Sequence, residues 1–235
     1  MEIEVAVAKV GKWATSQSGD TLEMVERPQG GFSFVLVDGQ QSGKAAKAIS
    51  NLVARKAISE LAEGVRDGAA ARAAHDQLYT YRGGKVSATL NILSVDLVTE
   101  TLVLSRNNQC PTILVMPQEG LKLLDEPVEP IGTRRRTKPS ISEHPLQAGM
   151  WTVVYTDGLE RAGARSSAVF DVPGAVSALV WQEEMTAEGV AAGLLERALE
   201  LDEGRPRDDI SVLVLHVSGQ PVKNNVRHLS IRVPL

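Results

Sequence analysis

Three apolar, β-rich runs follow one another in the middle of this chain: Ala88 to Asp96 (ATLNILSVD), Thr101 to Asn107 (TLVLSRN) and Thr112 to Met116 (TILVM). Only Leu97–Glu100 and Asn108–Pro111 separate them. A parallel pair needs a crossover of about a dozen residues or more, so links this short force antiparallel neighbours. Helical periodicity is confined to the flanks. Between Gly43 and Glu63, Ile49, Val53, Ala57 and Leu61 recur every fourth residue, with Leu52 and Ile58 widening the stripe. Ser42 is placed to cap that helix and Gly64 to stop it. An Ala-rich second helix is predicted from Val65 to Tyr81, ended by Gly83-Gly84. Thr186 should cap another running to Leu201, with Val190, Leu194, Leu195 and Ala198 on one face, and Phe170 to Glu184 reads as partly helical. Helices segregated from a strand-rich middle indicate an α+β fold rather than a doubly wound α/β fold. Two antiparallel sheets packed face to face, with helices outside, would use every apolar stripe.

Further strands are predicted on either side of the middle. Glu2 to Val10 alternates, with Ile3, Val5 and Val7 (and Ala6 and Ala8) as its inward residues. Thr21 to Pro28, Leu121 to Leu124, Met150 to Tyr155 and Ile210 to Val217 follow, while Pro130 to Pro145 reads as a basic, turn-rich loop. Without an internal repeat or a low-complexity linker, one domain is expected over residues 1–218. Residues 219–235 read as an appended tail or an edge strand.

Composition removes several classes of function. The net charge of −4 gives no global pull toward nucleic acid, and aromatics at 4% offer few stacking platforms. A single cysteine, Cys110, excludes an internal disulfide and a multi-Cys zinc site, and the four histidines are scattered. A bound metal would therefore have mostly oxygen ligands, which favours magnesium or manganese over zinc. No apolar run is long enough to span a membrane, and the N-terminal stretch lacks a signal-peptide core. The expectation is a cytoplasmic protein, monomeric, without nucleic-acid or membrane partners.

Against that plain background, carboxylates recur at strand edges. The apolar run Phe32 to Val37 stops at Asp38-Gly39; VVYT ends in Asp157-Gly158; Asp208-Asp209 opens ISVLVL; Asp20 ends an SGD turn. Any one of these is most simply a turn. Several in one sheet-rich domain invite convergence, and convergence is costly. Two carboxylates ~4 Å apart at an effective dielectric of ~20 repel by roughly 4 kcal/mol. Such a cluster needs raised pKa values or bound divalent cations. Two cations about 3.5–4 Å apart can activate a water and clamp a phosphoryl group, which points to phosphate-ester hydrolysis.

The order and spacing of SGD (Asp20), VDG-x3-G (Val37 to Gly43), ATLNIL (Ala88 to Leu93), PIG (Pro130 to Gly132), VVYTDGLERA (Val153 to Ala162) and DDISVLVL (Asp208 to Leu215) carry a resemblance. Over about residues 1–218 the chain resembles the metal-dependent, type 2C-like serine/threonine protein phosphatases, in the bacterial sporulation stage II E branch. As a compact catalytic domain it is most similar to the stressosome feedback phosphatases of the RsbX type. The resemblance implies a four-layer α-β-β-α sandwich with two divalent cations, manganese or magnesium, at one end. It implies Asp38, Asp157 and Asp208 as catalytic residues. Asp38 would bridge the ions, Gly39 (by its carbonyl) and Asp20 (mostly through water) would serve one, and Asp157 and Asp208 the other. Asp209 would be a supporting or turn residue. The implied partner is a phosphorylated stressosome scaffold or anti-sigma-factor antagonist.

The chain also departs from that pattern. Gln40 stands where eukaryotic relatives have a histidine proposed as general acid, so water or a substrate group would protonate the leaving oxygen. A non-catalytic module binding the same partner is therefore a competing reading. Met150 replaces a common acidic turn residue, and the short segment after Gly120 argues against a large substrate flap. Elsewhere the plain readings win: Lys44 and Lys47 as solvated lysines, Arg134-Arg135-Arg136 as a solvated loop, Asn107-Asn108-Gln109 as an architectural turn. Cys110 has no helper in sequence that would make it a nucleophile, and Trp13, Trp151 and Trp181 read as packing.

Overall fold

The computed structural model describes residues 1–164, 169–220 and 226–233. Every strand pairing among the described residues is antiparallel; Leu97–Glu100 joins such a pair as expected, but Asn108–Pro111 does not, because the strands it connects lie in different sheets. The elements in chain order are β1 (Glu2–Val10), β2 (Thr21–Glu26), β3 (Phe32–Gly39), α1 (Gly43–Ala62), α2 (Asp67–Arg82), β4 (Ala88–Asp96), β5 (Thr101–Asn107), β6 (Thr112–Met116), β7 (Gly120–Leu124), β8 (Ser140–Pro145), β9 (Trp151–Tyr155), α3 (Val172–Val180), α4 (Ala187–Leu201) and β10 (Ile210–Ser218). One sheet runs β1-β10-β9-β6-β7 and the other β2-β3-β4-β5-β8.

Alternation along single strands explains the four layers. On β10, Val212 and Val214 face a cluster with Val176, Val190, Leu194 and Ala198 of α3 and α4. Leu213 and Leu215 point the other way, into a cluster with Leu36, Leu93 and Leu104 of the opposite sheet. On β3, Val35 and Val37 meet Ile49, Val53 and Leu61 of α1 and Leu78 of α2, while Leu36 enters the space between sheets. Period-two side chains on strands buried on both faces give near-continuous apolar runs. Each fully buried Leu or Val contributes about 1.5–3 kcal/mol relative to exposure. The α-β-β-α sandwich is thus the arrangement that satisfies all the stripes.

Several details differ from the sequence reading. Pro130 to Pro145 is not all loop: β8 pairs with β5 at a sheet edge, and its residues alternate between half-buried and exposed. An edge position tolerates Pro145, which has no amide hydrogen to donate. Val7 is exposed although it shares the face of Ile3 and Val5, whereas Ala6 and Ala8 pack toward α3 and α4. Ser42 occupies the N-cap position of α1 with extended backbone but makes no side-chain cap bond. Thr186 does cap α4, its Oγ1 accepting the Gly189 amide at 3.0 Å. In the expected tail, residues 221–225 and 234–235 lie outside the described residues, and 226–233 form no strand. Arg227 lies 5.1 Å over the Phe32 ring, and Arg232 pairs with Glu188 at 2.9 Å. Among the described residues no helix is long and apolar enough to cross a membrane.

A buried polar knot fixes α2 on its sheet. The Asp67 carboxylate accepts from Arg27 Nη1 at 3.0 Å and from the Ser94 hydroxyl, while Ser33 and Ser94 share a 2.7 Å hydrogen bond. Arg27 Nη2 also donates to the Val65 carbonyl at 2.9 Å. Removing one member of such a pair strands the other charge in a poorly solvated place. Asp67→Ala is expected to lower stability by about 3 kcal/mol, read as a lower urea midpoint at unchanged slope. An effect within error of zero would show that the knot contributes nothing net.

Candidate active site

The strand registers bring the acidic edges to one end of the sandwich. Thr21 pairs with Val37, so Asp20 and Asp38 leave adjacent strands side by side. Val212 pairs with Tyr155, which places the turn at Asp157 beside the entry to β10 at Asp208 and Asp209. Four carboxylates act on one another there. Burial, then Asp20, Asp157 and Asp208, raise the Asp38 pKa to about 9. Sequence reasoning placed each acid at a strand edge; the structure brings the edges together.

Asp20 is fully buried and joins the two sheets. Its Oδ2 accepts from Thr156 Oγ1 at 3.0 Å and Ser211 Oγ at 2.6 Å, both from the other sheet's side. Its Oδ1 is buried with no hydrogen-bond partner. Burial lifts its pKa to about 6, against the lowering effects of Ser211, Lys9 and Thr156. Behind the carboxylate, the Asp20 carbonyl accepts from Lys9 Nζ at 2.5 Å and Lys47 Nζ at 2.7 Å. The solvated reading of Lys47 is therefore corrected: it is half-buried and also reaches Thr21 Oγ1 at 2.9 Å. Lys44 is exposed, as expected. Partial desolvation, followed by the other lysine for Lys9, lowers the pKa of both lysines, of which Lys47 is half-buried and Lys9 more exposed.

Asp209 has a different use. Its Oδ1 accepts the Lys12 amide at 2.9 Å and its Oδ2 the Gly19 amide at 2.8 Å, so it holds the loop that presents Asp20. The backbone at both Asp-Gly turns is packed too closely for a side chain. A Cβ on Gly39 would lie 2.2 Å from the Ala46 carbonyl oxygen, and one on Gly158 would lie 2.2 Å from that of Asp209. Gln40 is architectural: its amide donates to the Ser87 carbonyl at 3.1 Å, and its Oε1 accepts the Ser87 amide at 2.9 Å.

Burial raises the Asp157 pKa, while Arg161 pulls it down. Arg161 reaches Asp157 Oδ2 at 2.9 Å and Asp208 Oδ2 at 3.4 Å. Nearby, Asn108 Nδ2 donates to the Tyr155 carbonyl at 3.1 Å, which confirms an architectural turn. The Cys110 thiol is buried and its pKa is pushed up by burial and then by Glu160, so it is a poor nucleophile. Arg134 pairs with Glu129 at 2.8 Å beside a hollow of about 390 Å³ that also carries Asp125, Glu126, Arg136 and Lys138, so the basic run faces acids of its own. Sequence reasoning missed Thr156, Ser211, Lys9, Lys47 and Arg161. Only Arg161 left a local signal, four residues after Asp157.

The donor set is all oxygen and suits a hard cation. The orphaned Asp20 Oδ1 and the side-chain-free cradle at Gly39 fit the same use. Among the described residues, however, no three acidic, histidine or cysteine side chains already stand close enough to hold an ion.

The fold is that of a PP2C-type phosphatase domain. The SpoIIE PP2C phosphatase domain from Bacillus subtilis, solved with a fragment of its regulatory domain, superposes with a TM-score of 0.78 at 18% identity, covering 94% of this chain and 64% of that one. The chain therefore spans less than two thirds of that protein. RsbX in complex with magnesium gives a TM-score of 0.70 at 16% identity over 92% and 96% of the two chains. The catalytic domain of the serine/threonine phosphatase PstP in complex with two manganese ions gives 0.66 at 17% over 92% and 98%. Identities this low speak for fold alone. No curated protein matches in sequence. The family model for stage II sporulation protein E matches residues 28–218, and the chain belongs to that family.

The raised carboxylates set a pH dependence for the protein stripped of metal with EDTA. Asp38 and Asp20 bind protons more tightly folded, at about 9 and about 6, than at the ordinary 3.8. Their contribution is favourable at low pH and lost as pH rises from about 4 toward 9. The urea midpoint is expected to fall between pH 5 and pH 9, the fall to shrink in Asp38→Asn, and manganese to oppose it. A midpoint that climbs over that range would contradict the assignment.

Proposed function

We propose that this protein hydrolyses phosphoserine or phosphothreonine on a protein partner, using two divalent cations, manganese or magnesium, at the acidic end of the sandwich. The observation that supports this most is the convergence of Asp20, Asp38, Asp157 and Asp208 from both sheets, with a buried, unpartnered oxygen on Asp20. In this reading Asp38 would be shared by the two ions. The Gly39 carbonyl and Asp20 would serve one ion, and Asp157 and Asp208 would hold the other. When bound, the cations supply an activated water and a clamp on the phosphoryl oxygens.

The chain's own residues do the positioning. Thr156 and Ser211 fix one Asp20 oxygen and leave the other aimed into the cluster. Lys9 and Lys47 hold the Asp20 backbone from behind and offset part of the negative charge. Asp209 keeps the presenting loop in register. Gln40 is an amide rather than an acid and is engaged with Ser87, so water or a group of the substrate would protonate the leaving oxygen. The motif resemblance read from the sequence is the ground for taking a stressosome scaffold or an anti-sigma-factor antagonist as the substrate, with the protein acting as a cytoplasmic monomer.

The test is hydrolysis of p-nitrophenyl phosphate and of a phosphoserine protein with manganese present. Asp38→Asn is expected to lower turnover by about 10³-fold or more, because several kcal/mol of charge stabilisation would go with the bridging oxygen. EDTA should abolish activity. Turnover that survives EDTA or Asp38→Asn would overturn the two-metal reading. Tight binding of a phosphoprotein with no turnover would select the non-catalytic module instead.

A further inference from the structure

Arg161 is an unusual neighbour for a cation site. Its side chain is 63% exposed, as a solvated arginine's would be, yet its guanidinium spans two acids from different strands. Nη2 takes Asp157 Oδ2 at 2.9 Å and Nη1 takes Asp208 Oδ2 at 3.4 Å. Asp157 follows β9 and Asp208 precedes β10, so the contact is more than the (i, i+4) pair formed with Asp157 alone. Two donors in a fixed fork can hold two carboxylates at a set separation, which a lysine ammonium cannot do. Arg161 is also anchored: its amide donates to the Asp157 carbonyl at 3.0 Å, so the side chain pivots from a fixed point at the site's mouth.

These are the two acids that, in the function proposed above, hold one of the cations, and the inference rests on that reading. A carboxylate oxygen engaged by a guanidinium has that much less to offer a divalent ion. Arginine stays charged at any ordinary pH, so it leaves only by swinging away. We propose that Arg161 is a tethered counter-cation that competes with a divalent ion for Asp157 and Asp208, and that moves onto phosphate when the ion displaces it. The exchange keeps charge balanced in both states: guanidinium on two carboxylates without the ion, guanidinium on phosphate with it. Because the same side chain connects the two events, cation and phosphate must each tighten the other's binding by the same factor.

Titration calorimetry of the whole chain with manganese, with and without inorganic phosphate kept below its precipitation limit, tests this directly. Breaking exposed ion pairs costs little individually, so Arg161→Gln is expected to tighten the weaker cation step by about 3–10-fold. Arg161→Lys should fall between it and the wild type, because one ammonium cannot span both oxygens. Phosphate should tighten that step in the wild type and tighten it less in Arg161→Gln, where only the direct contact between ion and phosphate is left to couple them. Circular dichroism on both variants confirms folding, which an exposed side chain should not disturb. Equal or weaker cation affinity in Arg161→Gln, with the wild type binding two ions, would overturn the role of Arg161 alone. A wild type that binds no manganese would overturn the two-metal reading with it.

Discussion

The site depends first on a carboxylate buried between two sheets. Asp20 arrives on the side of β2 and is held by hydroxyls from the far side, Thr156 and Ser211. Each sheet alone would leave this acid facing water or its own neighbours. Packed together, they create a dry seam in which one oxygen is satisfied and the other is not. A buried anion with an open oxygen is a costly thing to keep. The lysines behind its backbone and the cation it can attract are the physical reasons it can persist.

From that seam the electrostatics of the whole end follow. Asp38 stands between Asp20 on its own sheet's side and Asp157 and Asp208 on the other, and its proton affinity rises in consequence. Opposing charges are placed asymmetrically. Lys9 and Lys47 reach Asp20 through its backbone carbonyl. The Arg161 guanidinium reaches the carboxylates of Asp157 and Asp208. Asp38, the centre of the cluster, has no cation contacting it among the described residues. It is the position where an added positive charge relieves the most repulsion.

Much of this was legible in the chain, and the limits have physical causes. The four acids could be read because each ends or begins an apolar run, so local pattern alone fixes its place. The β4–β5 pairing was legible because the four-residue link Leu97–Glu100 admits no other; the equally short Asn108–Pro111 misled, because it carries the chain from one sheet to the other. The strand Ser140–Pro145 was not, since its half-buried alternation looks like a polar loop until β5 is beside it. Val7 was misplaced because an edge strand's facing residue can run past the cover of the opposite sheet. Thr156, Ser211 and Lys9 escaped notice because their meaning lies in the register between two sheets, which no single segment encodes. Lys47 was read as solvated on sound local grounds, the first turn of a helix being unfavourable for a cation. A carbonyl brought from a distant strand overrides that preference.

The hydrogen bonds on Asp20 also have a consequence for how the protein is made. Their donors lie 136 and 191 residues further along the chain. The loop carrying Asp20 is tied to Asp209, as distant again. Contacts of such long range form late, after the loop-closure entropy of the intervening chain has been overcome. On a ribosome, the chain would emerge with Asp20 and Asp38 already synthesised but with no partner strand to assemble them. Cation-binding capacity should therefore appear abruptly, when β10 docks between β1 and β9, rather than accumulate with length. A nascent or truncated chain would carry half the acids and none of the chemistry.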